Sequence, residues 1–117
     1  MKNLNNLSKK MHELADSYKY PAGDMGCYLQ PMAQGTNCHL EFNLMFEPGD
    51  AVTASKVKLI DEKGCEELAN MGAFFSRPYG PWAKVAFGHG AQTVIALRKV
   101  KSIFDPNGIM NPGKLCF

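Results

Sequence analysis

The chain ends on Phe104-Asp105-Pro106-Asn107-Gly108-Ile109-Met110-Asn111-Pro112-Gly113-Lys114-Leu115-Cys116-Phe117, two Pro/Gly turns separated by one short apolar pair. Proline fixes φ and removes a backbone donor, while glycine opens the φ > 0 region, so Asp-Pro-Asn-Gly followed by Asn-Pro-Gly-Lys encodes two consecutive defined turns. A terminus built this way is expected to be ordered and docked, not frayed.

Periodicity supplies the rest of the architecture. Leu4, Leu7, Met11, Leu14 and Tyr18 recur at spacings of three and four, which predicts a helix that Pro21 and Gly23 stop. Between Asp24 and Phe46 the composition turns to Tyr, Phe, Leu, Met and Thr around Gln34-Gly35, predicting a hairpin. In its second strand Cys38, Leu40, Phe42, Leu44 and Phe46 face one way, and His39, Glu41, Asn43 and Met45 the other. Glu47-Pro48-Gly49-Asp50 predicts a turn ending in an N-capping aspartate, followed by a helix to about Gly72 carrying Val57, Ile60, Gly64, Leu68 and Met71 on its apolar stripe. Ala73 to Trp82, with two prolines and Gly80, predicts a short extended piece and a turn, and a brief helix after Pro81. Gly88-His89-Gly90 interrupts, and Val94, Leu97, Val100 or Lys101, and Phe104 mark a final helix halted by Pro106. The fold class is therefore α+β, an antiparallel hairpin covered by helices, in a single domain over residues 1–117. Two strands make a marginal sheet, so its completion by further sequence or by a second copy is expected.

Thirteen basic and 11 acidic residues give a formal charge of +2 and are interspersed along the chain, which argues against nucleic acid as a partner. Arg98, Lys99 and Lys101 read as a solvated helix face. The cysteines at 27, 38, 65 and 116 form no C-x-x-C pair and are read as reduced thiols. With no apolar leader and no run of membrane-spanning length, the expected compartment is cytoplasmic, without a membrane partner.

His39, Glu41 and Asn43 stand on the polar side of one strand, about 6 to 7 Å apart, and can line one wall of a pocket. A solvated sheet face is the plainer reading of the same pattern. Ser76-Arg77-Pro78-Tyr79-Gly80 is the second candidate. Arginine is permanently charged and offers a planar set of donors suited to holding an anion, although a surface ion pair is the commoner fate of an arginine. Trp82, Phe74 and Phe75 can line an aromatic pocket or fill a core. His12 and His89 have no evident partner, and Gly88-His89-Gly90 lacks the context of a dinucleotide fingerprint.

The ending resembles that of flavin-linked oxidases of the vanillyl-alcohol oxidase and p-cresol methylhydroxylase type, whose chains close with a D-P-N-G-I-x-x-P-G-K run. Gly26-Cys27-Tyr28-Leu29-Gln30-Pro31 and Gly35-Thr36-Asn37-Cys38-His39-Leu40-Glu41-Phe42-Asn43-Leu44 look like the stretch in which the cap domain of these enzymes faces the flavin. The resemblance implies a ferredoxin-like-type cap fragment, the C-terminal part of the substrate domain of an FAD-dependent oxidoreductase. It implies hydride transfer from an aromatic alcohol or alkylphenol-like substrate to FAD. The cofactor is expected to be bound mainly by a domain or subunit outside this chain, which would leave the isolated chain inactive. Arg77, Tyr79 and Glu41 take the catalytic positions, with Arg77 matching the arginine of a Tyr-Arg pair that binds phenolate. Ser76 replaces the tyrosine of that pair, and Tyr79 is the shifted substitute. His39, Asn107, Asn111 and Lys114 take cofactor-contacting positions, His39 as a hydrogen-bonding group, a covalent attachment point or a structural histidine. The related D-2-hydroxyacid dehydrogenases bind a metal through histidines of which only His39 would survive, with Met32 and Arg77-Pro78 at the other positions, so no metal is expected. The alternative function is a non-catalytic α+β module that oligomerises and binds a small aromatic ligand.

Overall fold

The computed structural model describes residues 3–32, 37–88 and 90–117, so the Gln34-Gly35 connection and His89 lie outside the described residues. Its elements are α1 (Leu4–Ser17), a 3-10 turn (Ala22–Asp24), β1 (Met25–Pro31), β2 (Cys38–Leu44), α2 (Ala51–Asn70), α3 (Pro81–Gly88) and α4 (Ala91–Phe104). They form two compact units, Met1–Met71 and Gly72–Phe117. Among the described residues no helix is long and apolar enough to cross a membrane.

In the first unit α1 stops earlier than its proline suggests. Lys19 takes φ 52, its amide donates to Asp16 O (3.0 Å), and the amide of Tyr20 donates to Ala15 O (2.9 Å). That pair of bonds is a Schellman ending with lysine at the position glycine usually fills. The helix is therefore closed two residues before Pro21, and the turn delivers Tyr20 into the core. Tyr20 is 2% exposed, and its hydroxyl lies 3.0 Å from Asp24 O and 2.8 Å from Met45 O. It thus joins the end of α1 to both strands at the base of the hairpin. Burial pushes the Tyr20 phenol above its ordinary pKa, against the opposing hydrogen bond to Met45, with the Asp24 charge adding to the rise.

β1 and β2 pair antiparallel in a register that sets Met25 opposite Leu44, Cys27 opposite Phe42, Tyr28 opposite Glu41 and Gln30 opposite His39. The alternation in β2 holds as expected: Phe42 and Leu44 pack against a core of Met11, Ala15, Tyr20, Met25 and Ile60, together with Leu14, Tyr18, Val57 and Leu68. Helical cover from α1 and α2 supplies what a two-stranded sheet lacks. α2 begins at Asp50, whose carboxylate accepts from the amides of Val52 and Thr53, both at 3.0 Å. The Thr53 hydroxyl also bonds to it, and these donors, the hydroxyl first, hold the Asp50 carboxyl below its usual range. Gly64 lets the two helices approach closely, since a Cβ there would stand 3.0 Å from Met11 Sδ.

The second unit opens on a stretch without a ladder, residues 73–75, followed by bends at Ser76 and Arg77 and the turn at Gly80 that the sequence predicts. Pro78 has no amide for a ladder, and Gly80 turns the chain at φ 52. Pro81 then occupies the first position of α3, where its missing donor costs nothing. Phe75 and Trp82 stack with centroids 5.7 Å apart and planes at 24°. Phe74, by contrast, is 91% exposed and fills no core. In α4 Val94 and Leu97 are half-buried, whereas Ile95, Val100, Ile103 and Phe104 are exposed.

Ile60 is fully buried between α1 and the sheet residues of the core. We expect Ile60→Ala to cost about 2–5 kcal/mol and Ile60→Val about 0.5–1.5 kcal/mol in denaturant unfolding of the full chain. Equal, small losses for both would show that the core is not organised around this side chain.

Candidate functional site

Three groups of polar residues need to be placed, and each belongs to one unit. On the solvent side of the hairpin, His39 Nε2 lies 2.6 Å from Glu41 Oε1, with the side chains 26% and 46% exposed respectively. Strand alternation puts these two on one face, and the register adds Gln30 and Tyr28 from β1 to the same row. Asn43 follows along β2 opposite Gly26, whose missing side chain leaves the asparagine uncovered from across the strand. His39, Glu41 and Asn43 thus share one face of the hairpin, and Tyr28 and Gln30 are neighbours on it that the sequence did not single out.

An open groove of about 500 Å³ runs beside the end of β2, floored by Phe42, Leu44, Ala54 and Val57 and rimmed by Lys58 and Asp61. Cys65 lies close to its acidic rim, 3% exposed and with Sγ 3.7 Å from Asp61 Oδ1. Burial first, and then the charge of Asp61, pushes this thiol up to about 12, which removes it as a nucleophile at neutral pH. Among the described residues no three His, Cys, Asp or Glu side chains converge on a metal-sized space.

Arg77 and Tyr79 lie in the bent segment ahead of α3, and both side chains are exposed. The order Ser76-Arg77-Pro78-Tyr79 keeps them two residues apart in a stretch with no ladder partner, next to the stacked Phe75 and Trp82 in sequence.

The terminal residues Asn107, Asn111 and Lys114 are exposed as well, on turns that are firmly anchored. Asp105 accepts at Oδ1 from the Ile109 amide (2.9 Å) and at Oδ2 from the Met110 amide (3.0 Å) and Lys101 Nζ (2.6 Å). Lys101 also donates to Met110 O at 2.7 Å and sits 5.3 Å from the centre of the Phe117 ring. Arg98 Nε donates to Cys116 O at 2.9 Å. With Asp105 fixed, the chain can take the left-handed conformations at Gly108, Asn111, Gly113 and Leu115 that fold it back. The expected docked ending is therefore present, and what it docks on includes α4 itself. The reading of Arg98, Lys99 and Lys101 as a solvated face holds for Arg98 and Lys99, which are exposed, and needs correction at Lys101, whose side chain is largely buried in the tail contacts. The signal was available in the four-residue spacing of Lys101 and Asp105, placed where a helix meets Pro-Asn-Gly.

Asp105 is the one acidic residue between 72 and 117. Its carboxyl is held below the usual aspartate range, chiefly by Lys101 and further by the amides of Met110 and Ile109, against the opposing effect of burial. A depressed folded pKa means that the clamp contributes in full above the ordinary aspartate value of about 3.9 and fades as pH falls through the lower folded one. In a pH series followed by NMR, the Ile109 and Met110 amide shifts should stay flat through the ordinary value and move only below it; movement centred at or above it would contradict the clamp.

Residues 82–115, which span nearly all of α3, all of α4 and both terminal turns, match the family model described as FAD linked oxidases, C-terminal domain. The match includes Lys101, Asp105, Asn107, Asn111 and Lys114 and leaves His39, Glu41, Arg77 and Tyr79 outside it. No curated protein and no solved structure matches the chain. By this match the α4 and clamp region is similar to the C-terminal domain of FAD linked oxidases.

Proposed function

We propose that this chain is the C-terminal substrate-cap portion of an FAD-dependent oxidoreductase of the vanillyl-alcohol oxidase type, working with an FAD-binding domain or subunit. The observation that carries the reading is the family match over residues 82–115. The clamp geometry supports it, because it presents Asn107, Asn111 and Lys114 on a rigid ending.

Two of the chain's clusters of backbone donors are already engaged and do not offer a holding site for FAD. A dinucleotide pyrophosphate is gripped by clustered backbone donors at a helix start or a glycine turn. At the start of α2 the amides of Val52 and Thr53 are taken by Asp50, and in the terminal turns those of Ile109 and Met110 are taken by Asp105. On this reading the cofactor belongs chiefly to another domain. Hydride acceptance is then the chemistry FAD supplies there.

The substrate class we assign is an aromatic alcohol or an alkylphenol-like compound. Arg77 takes the anion-stabilising role, since its guanidinium stays charged and can hold a phenolate ionised. Tyr79 and His39 donate or accept hydrogen bonds at the substrate or the flavin edge, and Glu41 adds a polar or basic group. Asn107, Asn111 and Lys114 contact the cofactor side.

The test is turnover of an aromatic alcohol by the chain assembled with its flavin-holding partner. Arg77→Ala should lower kcat/KM by about 10²-fold or more with no loss of thermal stability, and Arg77→Lys should recover only part of it. Unchanged turnover in Arg77→Ala would remove the anion-stabilising role and with it the phenol-type substrate.

A further inference from the structure

His39 and Glu41 are two residues apart on one strand, and their contact has a direction. A carboxylate offers only acceptor sites, so the proton in the 2.6 Å contact between Nε2 and Oε1 sits on the ring, and in the neutral imidazole the lone pair is then at Nδ1. That is the arrangement of a base oriented by a third group, and it distributes the roles within the pair. Across the hairpin Tyr28 stands directly opposite Glu41 and diagonal to His39. Diagonal neighbours on one face are about 7–8 Å apart, a gap that an aromatic side chain can reach across and that has room for one ligand oxygen. Tyr28 is 48% exposed, so its phenol is presented to solvent on this face.

Resting on the cap reading above, we propose that His39 Nδ1 is the proton acceptor for the substrate hydroxyl, that Glu41 is the positioning residue that fixes the ring, and that Tyr28 donates a hydrogen bond to the same substrate oxygen. In this step the substrate O–H bond breaks and an N–H bond forms at Nδ1. The oxygen keeps the electron pair and is stabilised by the Tyr28 O–H. The imidazolium is balanced by the Glu41 carboxylate, and no electron changes hands. The ligand class is a hydroxylated aromatic compound lying along the Tyr28 side of the sheet.

Long-range proton–nitrogen NMR of the full chain at neutral pH tests the assignment, with His12 as an internal control. His12 Nδ1 lies 2.8 Å from Ser8 O, an acceptor, so its proton belongs on Nδ1. We expect His39 to show the reverse tautomer, protonated at Nε2, and Glu41→Gln to convert it to a mixture, since a glutamine amide can donate as well as accept. A wild-type His39 protonated at Nδ1, or a tautomer unaffected by Glu41→Gln, would overturn the proposal. Addition of 4-hydroxybenzyl alcohol should shift His39 Nδ1 and the Tyr28 ring, and Tyr28→Phe should weaken that binding about five- to tenfold, the effect of one hydrogen bond. Resonances unmoved at millimolar ligand would also overturn it. Neither readout involves a flavin partner, so failure of the cap reading and failure of this assignment are separable.

Discussion

One carboxylate organises the end of this chain. Asp105 faces three donors from three residues, Lys101 on α4 and the amides of Ile109 and Met110 beyond the first turn. Without it, two backbone donors and a largely buried ammonium would have to find other partners, and a buried donor left without one costs more than a typical hydrogen bond contributes. The left-handed residues Asn111 and Leu115 depend on the same anchor, because each is in a conformation that an L side chain resists. Lys101 serves twice, bonding Asp105 and Met110 O together, so the clamp is a small network and not a single surface ion pair.

The first unit has a comparable joint in Tyr20. Its ring sits in the core and its hydroxyl meets carbonyls from before β1 and after β2, so the helix ending and the hairpin base are fixed by one side chain. Because the base of the hairpin is fixed here, the polar face of β2 is presented in a defined register. The alternation that buries Phe42 and Leu44 is the same alternation that turns His39 and Glu41 outward. Core packing and candidate chemistry are thus two sides of one strand.

Much of this was legible in the sequence. The stripes of α1 and α2, the Asp50 cap, the Pro81 start and the β2 alternation are all local patterns, and local patterns survive into structure when tertiary packing agrees with them, whereas the α4 stripe is exposed at Val100 and Phe104. Three features were not legible. The Schellman turn uses Lys19, and nothing in a lysine's character announces a left-handed residue. The segment from Ala73 to Gly80 has strand-like aromatics but no partner strand, which composition does not reveal. Charge that looks interspersed along the chain is sorted by unit, with seven basic and ten acidic residues in 1–71 but six basic and one acidic in 72–117. At the candidate site, the partners across the hairpin depended on register, so Tyr28 could be placed beside Glu41 only once the pairing was seen.

The account therefore rests on a division of labour in which this chain shapes and polarises a substrate pocket while FAD is gripped elsewhere. The amides of Val52 and Thr53 at the start of α2, and of Ile109 and Met110 in the terminal turns, are taken by Asp50 and Asp105, which is its physical basis. The most direct measurement is the visible absorption spectrum of the chain purified by itself, taken with and without added FAD and a desalting step. The account predicts no retained flavin absorbance in either sample; stoichiometric FAD carried through desalting would contradict it.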